Sequence, residues 1–209
     1  MKILFHVVLL SLMMSCAVSQ NRLVPKQKRV RLLDQTYLKQ HNFLEEKSHG
    51  LEIRFWKRNY ASGQHKVLRL TQDKNHEWQA SSLEYYCYNH NSCDADNPLI
   101  KGENAQGDWT RTWGKIIQDS LLWIRPQQQV NQSVNTYGAM LVVGDGGGYR
   151  IEVIDGRKKW AVSYDNLDSH REFLSEFASI PIDYIRMKTL IEEMEACFDL
   201  SFNTSILKK

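Results

Sequence analysis

The chain has 209 residues, of which 42% are hydrophobic, 11% aromatic and 24% charged, and its formal net charge at pH 7 is +3. Such a composition is typical of one soluble globular domain. It excludes a disordered polyelectrolyte, a collagen-like chain and a protein with several membrane spans. The charge is close to neutral and no aromatic residues alternate with lysines as in a nucleic-acid groove, so nucleic acid is not expected as a partner.

The first 19 residues carry the features of a secretory signal peptide. Lys2 precedes an apolar stretch over residues 3–14, which is followed by a patch of small residues. The apolar stretch is shorter than the roughly 20 residues that a transmembrane helix needs, which favours a cleaved signal over a permanent anchor. Two processing routes stay open: cleavage before Gln20, and lipidation of Cys16, which closes a sequence that resembles a bacterial lipobox.

Export sets the expected organisation of the rest of the chain. Residues 20–48 are predicted to form a basic tether with a loose amphipathic helix, residues 49–200 a single domain, and residues 201–209 a tail. If Cys16 carries a lipid, the basic side chains of the tether would lie beside anionic headgroups and add affinity for the membrane. The expected location is therefore the periplasm, or a lipid-anchored position in the bacterial cell envelope.

The cysteines are interpreted through this location. Cys87 and Cys93 lie close together in a polar stretch, and thiols oxidise outside the cytoplasm, so we predict a disulfide between them. Closing so short a loop would contribute about 2 kcal/mol. Cys197 falls in an apolar helical pattern and is expected to be buried and unreactive.

The same polar stretch contains residue types that bind metals, namely His90, Cys93, Asp94 and Asp96. No second pair of Cys or His stands at ligand spacing, and an oxidised Cys93 cannot bind a metal, so we expect no metal and no other cofactor. The chain has no Gly-x-Ser-x-Gly and no His-Glu-x-x-His motif, and we assign no catalytic residue.

The first half of the domain is predicted to contain a sheet and a helix. Alternation over residues 51–56 predicts a half-buried strand, and further strands over residues 67–71 and 78–88 would complete an antiparallel meander. Apolar residues then recur at helical spacing over residues 113–124. Pro126 ends this pattern. The polar residues 127–136 are predicted to form a surface linker.

Two hairpins are predicted next. Residues 139–143 and 149–154 would pair across a glycine-rich turn at 145–148, and residues 159–164 would pair with 149–154 across Asp155-Gly156. Glycine at these turns supplies the positive backbone angles that tight hairpins need.

The C-terminal part is predicted to form two helices. A capping box at Ser169 and Glu172 would begin the first helix, and Pro181 would open the second, which extends to about Leu200. The buried stripe of the second helix is predicted to contain Ile182, Ile185, Leu190, Ile191, Met194 and Phe198. The expected fold class is α+β, a mostly antiparallel sheet with helices packed on one face.

Aromatic residues are the only compositional excess. Trp56 and Trp109 fall outside the apolar patterns of their segments, so both are expected to be exposed. Exposed aromatic rings present a large rigid area at small entropic cost, which suits them to stack on sugars or to anchor a protein. Trp56 and Trp109 are therefore the candidate binding residues.

The segment Tyr149 to Gly156, followed by Trp160 and by Tyr164-Asp165-Asn166, resembles a pattern in uncharacterised exported bacterial proteins. The resemblance includes the tryptophan-containing helix before this segment and covers the C-terminal half of the chain. It implies export and a hairpin followed by helices, and it supplies no catalytic residue.

Three functional readings follow. The first is a non-enzymatic cell-envelope protein that binds another protein through its sheet and aromatic surface; a periplasmic immunity protein would be one instance. The second is a secreted periplasmic hydrolase, directed at glycans, with an active site that no motif reveals. A deep pocket with converging titratable groups would favour the hydrolase, whereas a flat apolar patch would favour the binding protein. The third is a eukaryotic secreted protein, since Asn131 and Asn203 stand in formal glycosylation triplets.

Overall fold

The computed structural model describes residue 27 and residues 50–87, 100–102, 107–134, 146–177 and 179–198. The predictions for the signal peptide, nearly all of the tether, the 139–143 hairpin arm and the tail lie outside these residues.

Within these ranges the chain forms one antiparallel sheet and four helices. The sheet has the strand order β4-β3-β2-β1-β5-β6, with β1 near its centre. The α+β fold class is confirmed. The strands are β1 (Leu51–Asn59), β2 (Gln64–Gln72), β3 (Trp78–Tyr86), β4 (Ile100–Gly102), β5 (Gly147–Asp155) and β6 (Lys158–Asp165). The helices are α1 (Trp109–Gln118), α2 (Gln127–Val134), α3 (Leu167–Phe177) and α4 (Ile182–Glu195).

The structure confirms the predicted turn at Asp155-Gly156 and corrects the bounds of the predicted glycine-rich turn at 145–148. Strands β5 and β6 pair antiparallel across a turn in which Gly156 has a φ of +54°, a conformation that suits glycine. Gly147 and Gly148 are strand residues of β5 rather than turn residues. At Gly148 a Cβ atom would stand 2.2 Å from Oδ1 of Asp165, so the glycine permits a close approach instead of a turn.

The helices pack against one face of the sheet and form the apolar core with it. Odd residues of β1 face this core, so the alternation of the strand is as predicted. The strands contribute Phe55, Leu68, Ile151, Val153, Trp160 and Val162, and the helices contribute Ile116, Tyr184, Met187, Leu190, Ile191 and Met194. None of the helices in the described ranges is long and apolar enough to cross a membrane.

The other face of the sheet carries a buried network of charged side chains. Arg54 Nε lies 2.5 Å from Glu52 Oε1, and Arg69 Nε lies 3.0 Å from the same oxygen. Arg150 Nε lies 2.7 Å from Glu152 Oε1. The expectation that one face of β1 is solvated is wrong. Alternation in the sequence shows which residues are polar, but it does not show whether they are exposed, and here the polar side chains are buried as ion pairs.

Two helix boundaries differ from their predictions. The first helix spans Trp109–Gln118. It begins at Trp109 because Asp108 Oδ1 accepts a hydrogen bond from the Arg111 amide and caps the first turn. Helix α3 begins at Leu167, so Ser169 lies inside its first turn and is not the cap.

The polar segment predicted as a linker contains α2. Val130 of this helix is fully buried, and Gln127 accepts a hydrogen bond from the Asp165 amide. Val130 and hydrogen bonds to distant elements hold the helix, and neither leaves a periodic signal in the sequence.

Candidate functional site

Neither tryptophan chosen from the sequence is exposed. Trp56 has 2% of its surface exposed and Trp109 has 5%. Trp56 stands on the charged face of β1, which is buried. Trp109 shares a buried stripe with Thr112 and Ile116, since α1 begins earlier than predicted. The expectation of an open aromatic surface at these two positions is wrong.

The cysteines are only partly within the described residues. Cys87 is buried and Cys93 lies outside the described ranges, so a disulfide between them stays a prediction. Cys16 and its lipidation also lie outside them. Cys197 has a free thiol and is half-buried, and its Sγ lies 3.1 Å from Oγ1 of Thr112.

Large apolar side chains are exposed at a different place. Trp123 has 57% of its surface exposed, Ile182 53% and Ile185 43%. Trp123 lies between α1 and α2, and the two isoleucines lie in the first turns of α4. We call these three residues the apolar surface.

Helix α4 presents its isoleucines to solvent because its buried stripe lies elsewhere. Ile182 and Ile185 are three positions apart and occupy the opposite side, so the prediction that they belong to the core stripe is wrong. The stripe consists of Asp183, Tyr184, Met187, Leu190, Ile191 and Met194.

The backbone around Trp123 is held in place by hydrogen bonds. The Trp123 amide donates to the carbonyl oxygen of Ser120 at 3.0 Å, and Ser120 itself has a φ of +54°. The Trp123 carbonyl oxygen accepts a bond from Nη1 of Arg186 at 2.8 Å. The flanking residues Leu122 and Ile124 are buried in the core. The exposed indole therefore stands on a fixed backbone beside α4.

A second connection ties the same loop to α4. Asp183 Oδ1 accepts a bond from the Arg125 amide at 2.8 Å, and its Oδ2 accepts bonds from Nε and Nη2 of Arg125 at 3.1 and 2.7 Å. Burial acts to raise the pKa of Asp183, but the bonds and the charge of Arg125 outweigh burial and hold the pKa below its ordinary value. The carboxylate is therefore ionised at neutral pH and fixes Arg125 next to the apolar surface.

Arg186 places one positive charge beside the apolar surface. Arg125 and Asp183 neutralise each other, whereas no carboxylate in the described ranges pairs with Arg186, which follows Ile185 directly. The next exposed acid on α4, Glu192, lies seven residues beyond Ile185, about 10 Å along the helix. The helix N-terminus adds a partial positive charge.

A polar cluster at the end of the sheet joins β1, β6 and α2. Tyr60 donates a hydrogen bond to Asp165 Oδ1 at 2.6 Å, and Gln127 binds both the amide and the carbonyl group of Asp165. Burial raises the pKa of Tyr60, and the bond to Asp165 raises it further. Tyr60 therefore stays protonated and acts as a donor that joins strands, not as a base or a nucleophile.

His170 lies near this cluster. Its ring centroid is 6.1 Å from that of Tyr184, and burial lowers its pKa. In the part of the chain that the structure describes, no serine, threonine or cysteine side chain is hydrogen-bonded to His170, so it has no nucleophile to activate there.

The buried carboxylates of the charged face are unsuited to acid catalysis. Burial acts to raise the pKa of Glu52, but hydrogen bonds and charges from Arg69 and Arg54 outweigh it and hold the pKa below its ordinary value. A glycosidase acid needs the opposite shift, because it must carry a proton to the leaving group. Glu152 forms ion pairs with Arg150 and Arg54.

Among the described residues, no three His, Cys, Asp or Glu side chains are grouped so that they could hold a metal ion. The stretch with His90, Cys93, Asp94 and Asp96, weighed above as a metal cluster, lies outside these ranges.

No family model matches the chain, and no curated protein matches it either. The resemblance to exported bacterial proteins therefore stays a prediction, and functional argument rests on the geometry of the apolar surface.

Proposed function

We propose that this chain is a non-enzymatic binding protein of the cell envelope, and that it binds a protein partner through Trp123, Ile182 and Ile185. The observation that supports this most is an exposed tryptophan on a backbone fixed from both sides. Tryptophan and arginine are the residues most enriched where binding energy concentrates in protein interfaces.

A fixed backbone matters because association loses conformational freedom. Ordering a mobile side chain or loop costs part of the interaction energy, whereas a loop that is already bonded to α4 loses less. The connections from Arg186 to Trp123 and from Arg125 to Asp183 are of this kind. Two isoleucines on the adjacent helix would widen the contact around the indole.

The location belongs to the same proposal. The N-terminal 19 residues direct the chain out of the cytoplasm, and either lipid on Cys16 or cleavage before Gln20 leaves the binding domain in the envelope. A periplasmic immunity-type protein, which meets its partner outside the cytoplasm, is one instance of such a function. Intact mass of the mature protein distinguishes the two processing routes.

Co-purification from envelope extracts of the native host tests the proposal. Tagged full-length chain is compared with the variants Trp123→Ser and Ile182→Ser, and with Arg111→Ser on the exposed side of α1 as the matched control. We expect one or more proteins to be recovered with the unaltered chain and with Arg111→Ser, and to be lost with the other two. Equal recovery with all four chains would contradict the proposal.

A further inference from the structure

We infer that the partner presents an acidic segment, in which at least one carboxylate lies close to an aromatic or aliphatic side chain. This inference rests on the proposed function and states the chemistry that the apolar surface would recognise. The apolar side chain would pack on Trp123 and Ile182, and the carboxylate would pair with Arg186.

The charge of Arg186 carries the inference. One of its nitrogens, Nη1, is bonded to the Trp123 carbonyl, which fixes the guanidinium at the edge of the apolar surface. That carbonyl is neutral, and no carboxylate in the described ranges pairs with the guanidinium. A carboxylate is the matching acceptor because it binds the remaining N–H groups of a guanidinium in a planar, charge-assisted arrangement.

Arg125 also favours an acidic partner, although its ion pair with Asp183 has no net charge. Its pKa is raised, first by the hydrogen bond to Asp183 and then by the charge of Asp183. Asp183 is buried, whereas much of the Arg125 side chain is exposed. A partner therefore meets the guanidinium and not the carboxylate, and like-charged groups on a partner would be repelled.

Positive charge also weighs against a second copy of this chain as the occupant. In a twofold contact the same surface faces itself, so the arginines at the edges of two apolar surfaces would approach each other. Acidic residues on a different protein remove this repulsion and speed association.

A membrane fits less well than a protein. Binding to an anionic leaflet usually draws on several basic residues, and Arg186 is the single cation at the apolar surface, among the described residues, without a described counter-charge. Surface binding to lipid usually draws on a row of basic residues along an amphipathic helix, whereas the exposed side of α4 below Ile185 carries Glu192 and Glu195.

Peptide selection tests the inference directly. The full-length mature chain is immobilised and screened with a phage-displayed library of random peptides, and selected peptides are measured against Trp123→Ser, Arg186→Gln and Arg186→Glu. Arg186→Gln keeps a donor for the Trp123 carbonyl but removes the charge. Vesicles of phosphatidylglycerol and phosphatidylcholine form a parallel arm, and circular dichroism checks that every variant is folded.

We expect peptides that combine Asp or Glu with an aromatic or aliphatic residue. Their affinity should fall about tenfold or more for Trp123→Ser and for Arg186→Gln, and further for Arg186→Glu, and it should weaken as salt rises.

Other outcomes separate the inference from the proposed function. Neutral or basic peptides that need Trp123 but ignore the charge of Arg186 would overturn the inference and leave the proposed function standing. Peptides that bind Trp123→Ser as well as the unaltered chain, or no selected peptide at all, would count against both. Binding to phosphatidylglycerol vesicles that is lost in Trp123→Ser, without acidic peptides, would assign the surface to a membrane and overturn the inference.

Discussion

Helices α1 and α4 pack against each other, yet their outer faces differ in chemistry. The exposed side of α1 is polar, with Arg111, Lys115 and Gln118. The exposed side of α4 begins with Ile182 and Ile185, and Trp123 stands beside it. A helix with an apolar outer face is expected to be covered, whereas a polar outer face is not. The difference favours the α4 side as the place where the proposed partner would bind.

The largest effect is expected on the buried side of α4. Leu190 is 1% exposed, so Leu190→Ala should lower the free energy of unfolding by about 2–5 kcal/mol through lost burial and a cavity. Ile185→Ala on the outer side of the same helix is the matched variant and should cost no more than about 0.5 kcal/mol. Urea denaturation measures both, and equal losses would show that Ile185 belongs to the core.

A smaller effect is expected from the loop connection. Asp183→Asn removes the charge that holds Arg125 and should lower stability by about 1–3 kcal/mol. Hydrogen exchange at the Arg125 amide should also become faster, because its acceptor is weakened. Asp168→Asn is the control, since its ion pairs are at the surface and contribute little. Unchanged exchange at Arg125 in Asp183→Asn would contradict the account of how Trp123 is held.

Stability should also fall as the solution becomes acidic. His170 has a lowered pKa in the folded protein, so the unfolded chain takes up protons more readily, and stability is lost as pH drops below the ordinary histidine value of about 6.5. Asp183 and Glu52 also have lowered pKa values, so their contribution is present at neutral pH and is lost at a pH below about 4.

Two variants distinguish the pH range of the His170 effect from the lower pH range of the carboxylate effect. His170→Gln should flatten the stability profile between about pH 7 and pH 5, and Asp183→Asn should flatten it only at lower pH. Thermal unfolding across this range measures both, and a profile that neither variant changes would show that these groups do not link protonation to folding.

The smallest effect on stability is expected on the outer face of α4. Trp123→Ser and Ile182→Ser should lower the free energy of unfolding by less than Leu190→Ala does, since more than half of each residue's surface is exposed. Retention on a hydrophobic resin should nevertheless decrease for both and stay unchanged for Arg111→Ser. A large loss of stability in either serine variant would mean that the residue serves packing rather than binding.

Sequence periodicity predicts local structure correctly where one face of an element meets the core. The alternation of β1 and the Asp155-Gly156 turn predicted their local structure correctly, because burial on the helix-covered face and the φ of Gly156 are set by neighbouring residues. The same alternation failed for Trp56, since a polar pattern does not distinguish solvated charges from buried ion pairs.

The burial of Trp109 and the exposure of the apolar surface do not follow from the sequence, for two local reasons. Asp108 caps α1, but the apolar spacing does not indicate this cap, so the buried stripe of Trp109, Thr112 and Ile116 is not evident from the sequence. On α4, the apolar pattern fits two stripes, and the buried one includes Asp183, whose polarity conceals it. That carboxylate is buried because of Arg125, which is distant in sequence, so only the tertiary structure separates the two stripes.

Site-specific photo-crosslinking in the native host tests the central claim most directly. A photoreactive amino acid is placed singly at positions 123, 182 and 185, and at positions 111, 115 and 118 of α1. Discrete adducts with one partner protein are predicted from the first three positions and not from the α1 positions. Adducts from α1 alone, or the same adducts from all six positions, would contradict the assignment of partner binding to the apolar surface.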